Sequence, residues 1–224
     1  MCCNERWEEA YRKFETEQEE KKKFRTRLVE LGAESWDKRS RIVDLFCGKG
    51  TNLECLTELG FSDLHGVDLS PLLLAQYKGP SELYVGDATD IKFPDEWADI
   101  FIVQGGLHHL PRVPANLELC LAQIHRVLRP GGLLVLVEPW STPFLSFVHW
   151  CCERKILRAC WPKLDSLAIM ISEEKDTYFS WLAANCEIEL LVKKFFMPEL
   201  WRTRFGKLEF VGSKVRATGL VPAH

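Results

Sequence analysis

Between residues 41 and 139 the chain alternates short apolar runs with longer stretches of helical spacing, and this alternation restricts the fold more than any other feature. The apolar runs are IVDLF (42–46), DLHGVDL (63–69), ELYVGD (82–87), ADIFIVQ (98–104) and LLVLVEP (133–139). Between them lie TNLECLTELG, PLLLAQYKG and NLELCLAQIHRVLRPGG. A continuously apolar strand has no polar face to give to water, so it belongs in a parallel sheet covered on both sides. Right-handed crossovers through the intervening helices make such a sheet doubly wound. Pro130-Gly131-Gly132 reads as a sharp turn from a helix into the fifth strand.

Both flanks break the alternation. Residues 4–31 are dense in charge, with Trp7, Tyr11, Phe14, Phe24, Leu28 and Leu31 near helical spacing. One or two amphipathic helices are predicted there, stopped by Gly32, as a helical lid over residues 1–40. Residues 41–224 form the main domain, within which 141–181 predicts a helical substrate cap with a basic cluster at Arg154, Lys155 and Arg158. CEIELLVKKFF (186–196) and KLEFVGSKV (207–215) read as two strands joined by a connector containing Pro198. Their closeness favours an antiparallel pair at the sheet edge. The expected fold is α/β: a Rossmann-like, doubly wound, seven-stranded and mostly parallel sheet with an antiparallel C-terminal strand and helices on both faces.

Composition narrows the function. With 224 residues, 46% hydrophobic content and eight Trp, the chain suits one decorated domain with a sizeable core. A formal net charge of −3 supplies no global basic field for nucleic acid. The nine cysteines are odd in number and lack a C-x-x-C pair, so neither a disulfide framework nor a metal site is expected. The chain opens on charged residues rather than an apolar leader, and no run of about 18 apolar residues offers a membrane span. A reducing, cytoplasmic setting is the expectation.

The first strand ends in a turn containing Gly48 and Gly50 that leads into a helix. Glycines there let the backbone approach a ligand and bring helix N–H groups beside it. Asp68 ends the second strand where an acid reaches ribose hydroxyls, and Asp87 ends the third. Two acids on adjacent strand ends beside a Gly loop outline a nucleoside-shaped site at the topological switch point.

VDLFCGKG, GVDLS, GDATDIKFPDEWADI, LHHL and VLRPGGLLVLVEP, in that order, resemble the motifs of class I S-adenosylmethionine-dependent methyltransferases, most closely the "type 11" group acting on varied small molecules. The likeness covers roughly residues 40–140. The resemblance implies that the loop from Asp44 through Phe46, Cys47, Gly48 and Gly50 to Asn52 packs on the methionine part of S-adenosylmethionine. It implies that Asp68 with Leu69 takes the ribose, Asp87 with Ala88 the adenine, and Gln104, Gly105 and Gly106 the methionine side. S-adenosylhomocysteine would be the product.

One position departs from the pattern: Phe46 stands where the family loop has its first glycine, so Phe46 is expected in an ordinary backbone conformation and close approach falls to Gly48 and Gly50. DLFCG also occurs in nucleic-acid C5-methyltransferases, whose nucleophilic Cys lies in a later motif beside Pro. No Pro-Cys occurs here, so Cys47 reads as a small loop side chain beside the cofactor.

His108 and His109 follow the fourth strand and are the candidate catalytic residues, as a general base or as loop-orienting groups. Glu138 and Trp140 end the fifth strand facing the acceptor side, with Trp140 equally readable as packing, and Tyr11 belongs to the lid; these three are the substrate-binding candidates. The aromatic stretch 143–161 is either a substrate cap, which is preferred, or an interfacial helix making peripheral membrane contact with a lipid-linked acceptor. The expected activity is methyl transfer to an oxygen or nitrogen of a small molecule, with a sugar or lipid-linked intermediate in view. The rivals are a non-catalytic cofactor-binding adaptor, an RNA or protein methyltransferase and an NAD-dependent oxidoreductase.

Overall fold

The computed structural model describes residues 5–214. Five parallel strands, β1 (Ile42–Leu45), β2 (Leu64–Asp68), β3 (Glu82–Val85), β4 (Ala98–Gln104) and β5 (Leu128–Pro139), are joined by β7 (Lys207–Lys214) and β6 (Phe196–Arg204), with β7 antiparallel to both β5 and β6. The order across the sheet is β3-β2-β1-β4-β5-β7-β6, so the chain reverses direction of travel between β1 and β4. In such a sheet the crevice at the carboxyl ends of β1 and β4 is where a ligand fits.

Side chains alternate across this sheet and build two cores. Val43, Leu45, Phe101, Val103, Leu134 and Leu136 point to one face, where α5 (Ala115–Val127) and α10 (Asn185–Phe195) cover them. Ile42, Ile100, Ile102, Val135 and Val137 point to the other, under α2 (Glu17–Glu30) and α3 (Thr51–Glu58). The α2 helix starts on a Thr16–Glu19 capping box and stops in a Schellman turn, Gly32 (φ 97) and Ala33 donating to the carbonyls of Val29 and Leu28. Ahead of it, α1 (Glu5–Phe14) packs along α8 (Pro162–Glu173). The expected turn at residues 130–132 is present as a bulge at the start of β5, where the register jumps from Ala98↔Leu128 to Ile100↔Leu133 and Gly131 has φ 78.

The C-terminal reading needs correction. Residues 186–196, expected as a strand, are almost entirely helix α10, and Pro198 lies inside strand β6 rather than in a connector. Ile188, Glu189 and Leu190 do alternate, yet Leu190 is 71% exposed whereas Ile188 and Val192 are buried against α5, the i,i+4 spacing of a helix. Pro198 is tolerated because β6 is the edge strand, where a missing N–H leaves no ladder bond unmade on the open side. Four further helices, α6 (Pro143–Cys152), α7 (Lys155–Cys160), α8 and α9 (Lys175–Ala183), fill the insertion after β5, as the sequence predicts. Trp181 fixes α9 to the end of β5, its indole N–H donating to the Pro139 carbonyl at 2.8 Å with the ring fully buried.

Candidate active site

The loop after β1 is held from beneath by Asp68. One carboxylate oxygen accepts the Gly48 N–H at 2.9 Å and the other the Ser70 N–H at 2.8 Å. Gly50 (φ 81) caps α3, and a Cβ there would lie 2.4 Å from the Tyr77 ring. Phe46 corrects the sequence expectation: its φ is 62, in the left-handed region that costs a non-glycine residue about 1–2 kcal/mol. Its ring takes the space that Gly106 leaves open, since a Cβ on Gly106 would stand 2.3 Å from Phe46 Cγ. Two loops from neighbouring strands are thereby locked together. Cys47 is buried, and desolvation, with smaller effects from Asp44 and Asp68, pushes its thiol far up. A thiol so placed is no nucleophile.

A chain of buried polar groups crosses the carboxyl ends of β1 and β4. Asp44 alternates with Val43 and Leu45, so its side chain turns toward α3, where Asn52 donates to Oδ1 at 2.8 Å. The Asn52 carbonyl in turn accepts from the Gln104 amide at 3.0 Å. Two oxygens of this chain, Asp44 Oδ2 and Gln104 Oε1, are buried without a hydrogen-bond partner. Burial, with the Asp68 charge as a smaller cause, pushes Asp44 up to about 7. Buried acceptors left unpaired beside a glycine loop fit a ligand that brings N–H donors.

A second cluster sits at the ends of β4 and β5. Glu138 follows Leu134 and Leu136 onto the α5 face and is 1% exposed. One of its oxygens accepts the N–H groups of Gly106 and Leu107, each at 2.8 Å, and the other lies 2.8 Å from His108 Nδ1. As a carboxylate Glu138 only accepts, so His108 donates to it from Nδ1 and points Nε2 away from it. His109 lies beside it in the same 3-10 turn (Leu107–His109), its Nδ1 buried and without a hydrogen-bond partner. Burial, and less so His108, pushes His109 down to about 3, which keeps the ring neutral. Glu174, between α8 and α9, completes the group: its oxygens lie 3.6 Å from His109 Nδ1 and 4.0 Å from His108 Nε2.

The remaining predicted positions scatter in role. Asp87 is exposed just past β3, where its Oδ1 accepts from the Thr89 N–H and hydroxyl, both at 2.8 Å. Leu69 is exposed at the same sheet edge, Ala88 is buried, and Gly105 (φ 76) turns the chain after Gln104. Glu138 and Trp140, expected on the acceptor side, are both buried, Trp140 in keeping with its packing alternative. Glu138 is taken up by the Gly106–His108 turn, and Trp140 is buried in edge-to-face contact with Trp201. Tyr11 is also occupied, its hydroxyl on Glu20. Glu20 is the residue that sequence reasoning missed on this side. It is 6% exposed on α2, pairs with Lys49 at 3.0 Å and accepts from the Thr51 hydroxyl at 3.3 Å, tying the N-terminal helices to the glycine loop. In 143–161, Phe144, Phe147, Trp150, Ile156 and Trp161 remain exposed.

Residues 43–136, containing the glycine loop, Asp68, Asp87 and both histidines, match a family described as a methyltransferase domain. The chain is 30% identical over 120 residues to a demethylmenaquinone methyltransferase of Symbiobacterium thermophilum, covering 49% of this chain and 46% of that protein. It is 32% identical over 107 residues to a dTDP-3-amino-3,4,6-trideoxy-alpha-D-glucopyranose N,N-dimethyltransferase of Streptomyces venezuelae, covering 46% and 44%. The chain thus spans about half the length of the curated relatives it matches. Its fold is shared with the PH0226 protein of Pyrococcus horikoshii OT3, at a TM-score of 0.68 and 21% identity over 92% of this chain and 99% of that one. Residues 43–136 thus resemble a class I methyltransferase domain, a family whose cofactor is S-adenosylmethionine. Among the described residues no helix is long and apolar enough to cross a membrane.

Proposed function

We propose that this chain transfers the methyl group of S-adenosylmethionine to an oxygen or nitrogen of a small-molecule acceptor. The observation that carries the reading is the pair of unpartnered buried oxygens, Asp44 Oδ2 and Gln104 Oε1, at the switch point of the sheet. They suit the ammonium group of the cofactor's methionine part, while Asp68 and Asp87, on adjacent strand ends, suit its ribose and adenine. Bound there, the cofactor would supply an electrophilic methyl on a sulfonium, with S-adenosylhomocysteine as the product. The chain's own residues position, enclose and exclude water, which is worth several kcal/mol of barrier. Within this reading α1 and α2 act as a lid hinged on Glu20. His108 and His109 act on the acceptor's hydroxyl or amine, with Glu138 as the positioning residue that aims His108.

The acceptor class is taken from relatives whose names specify a quinone and a nucleotide-linked amino sugar. The exposed apolar surface of α6 and α7 favours an apolar or lipid-linked acceptor arriving over that face. A labelled-methyl assay against demethylated quinols and nucleotide amino sugars tests this. Label in either organic product supports the reading, and label confined to protein or RNA would replace it.

A further inference from the structure

We propose that His108, His109 and Glu174 bind a divalent first-row transition-metal ion. One ring nitrogen from each histidine and one Glu174 oxygen can be chosen so that all lie within 4.8 Å of one another. The histidines come from the turn after β4 and the glutamate from the junction of α8 and α9, so the fold brings them together from 65 residues apart. Three independent details fit a metal centre better than a chance cluster.

His108 is already oriented as a metal-binding histidine is: its far nitrogen bonds a buried carboxylate, leaving Nε2 free to ligate. His109 Nδ1 is a buried nitrogen with no hydrogen-bond partner, aimed at the same point. Among the described residues Glu174 faces these two imidazoles and pairs with no lysine or arginine. A half-buried carboxylate with no fixed cation gains most from a bound one.

Two imidazoles and one carboxylate suit Zn2+, Fe2+ or Mn2+; Mg2+ prefers an all-oxygen shell. Around an ion with bonds of about 2.1 Å, neighbouring ligand atoms stand roughly 3.0–3.4 Å apart, so the cluster closes by about an ångström on binding. Glu174 caps both α8 and α9 through its backbone, so the closure falls to its side chain. Three protein ligands leave a coordination position open, the arrangement of a catalytic rather than a structural site. The use of that position rests on the methyl-transfer reading, in which the histidines would act through the ion: an acceptor hydroxyl bound there would release its proton to bulk water more readily and keep an oxygen lone pair for the incoming methyl.

The test uses the full chain, stripped with chelator, without methyl donor or acceptor. Calorimetric titration with Zn2+ should show one ion per chain, and Glu174→Gln and His109→Ala should each weaken uptake at least tenfold while circular dichroism and melting stay near wild type. Mg2+ should not compete. X-ray absorption on the wild-type zinc form should give a nitrogen and oxygen shell with imidazole scattering, independently of how the variants fold. No stoichiometric uptake, uptake undiminished in folded Glu174→Gln, or a shell of cysteine sulfur would each overturn the proposal. Since neither donor nor acceptor is present, these outcomes leave methyl transfer untouched, and failed methyl transfer would leave a positive titration standing.

Discussion

His108 and Glu138 stand at the carboxyl ends of neighbouring parallel strands, with Nδ1 and Oε2 2.8 Å apart, and the same buried carboxylate closes the turn that carries His108 by accepting two backbone N–H groups. One side chain therefore sets both the path of the loop after β4 and the direction of the imidazole. Removing the carboxylate leaves three buried donors without a partner. Glu138→Ala should cost about 3 kcal/mol of stability in urea unfolding. Glu138→Gln, which still accepts through its amide oxygen, should cost clearly less; equal losses would mean that the turn does not depend on these bonds.

Phe46 and Gly106 form a mutually dependent pair, because the ring occupies the place of the missing Cβ. Gly106→Ala alone should destabilise the protein and weaken S-adenosylmethionine binding. Adding Phe46→Ala should recover part of the loss, with a coupling energy of about 1–3 kcal/mol in a double-mutant cycle. Additive losses would show that the two loops are not locked through this contact.

Asp44 gives a pH dependence of definite sign. Burial raises its folded pKa to about 7, above the unfolded value, so the folded state holds a proton that the unfolded state has released. Its stabilising contribution is complete below the unfolded pKa near 4 and is lost as pH rises to about 7. Binding of an ammonium group favours the ionised form, so S-adenosylmethionine should bind more tightly as pH rises through 7 and release a proton below it. Calorimetry in two buffers of different ionisation enthalpy measures that release, and Asp44→Asn should abolish it.

Glu20 joins α2 to the glycine loop through Lys49 and Thr51, and to α1 through Tyr11. Glu20→Ala should speed limited proteolysis within residues 5–30 and weaken cofactor binding several-fold. Faster cleavage with unchanged affinity would detach the N-terminal helices from the cofactor site.

The runs at β1, β2, β4 and the core of β5 were legible because parallel strands buried on both faces are apolar throughout, unlike β3, which is a largely exposed edge strand. The helix α10 was not, since Glu187 to Leu190 satisfies a two-residue period and the decision came from burial of Ile188 and Val192 against α5. Asp68 was marked by its position at the end of β2, whereas Asp44 and Gln104 were marked only by the resemblance of their motifs to methyltransferase ones. The role of Glu138 was hidden because its face depends on the parity of β5 and on a turn 30 residues earlier. Glu174 had no local signal: it lies in a run of charges, and only the packing of α9 on the turn after β4 brings it to the histidines. Phe46 looked like an ordinary residue because its left-handed backbone is sustained by a contact 60 residues away.

The central claim is that the crevice between β1 and β4 holds S-adenosylmethionine, and calorimetric titration of that cofactor tests it most directly. Micromolar binding should appear in the wild type and be lost in Asp68→Ala and Asp87→Ala, both of which should melt as cooperatively as the parent. A folded wild-type protein that takes up no S-adenosylmethionine, or one whose uptake survives both substitutions, would contradict the account.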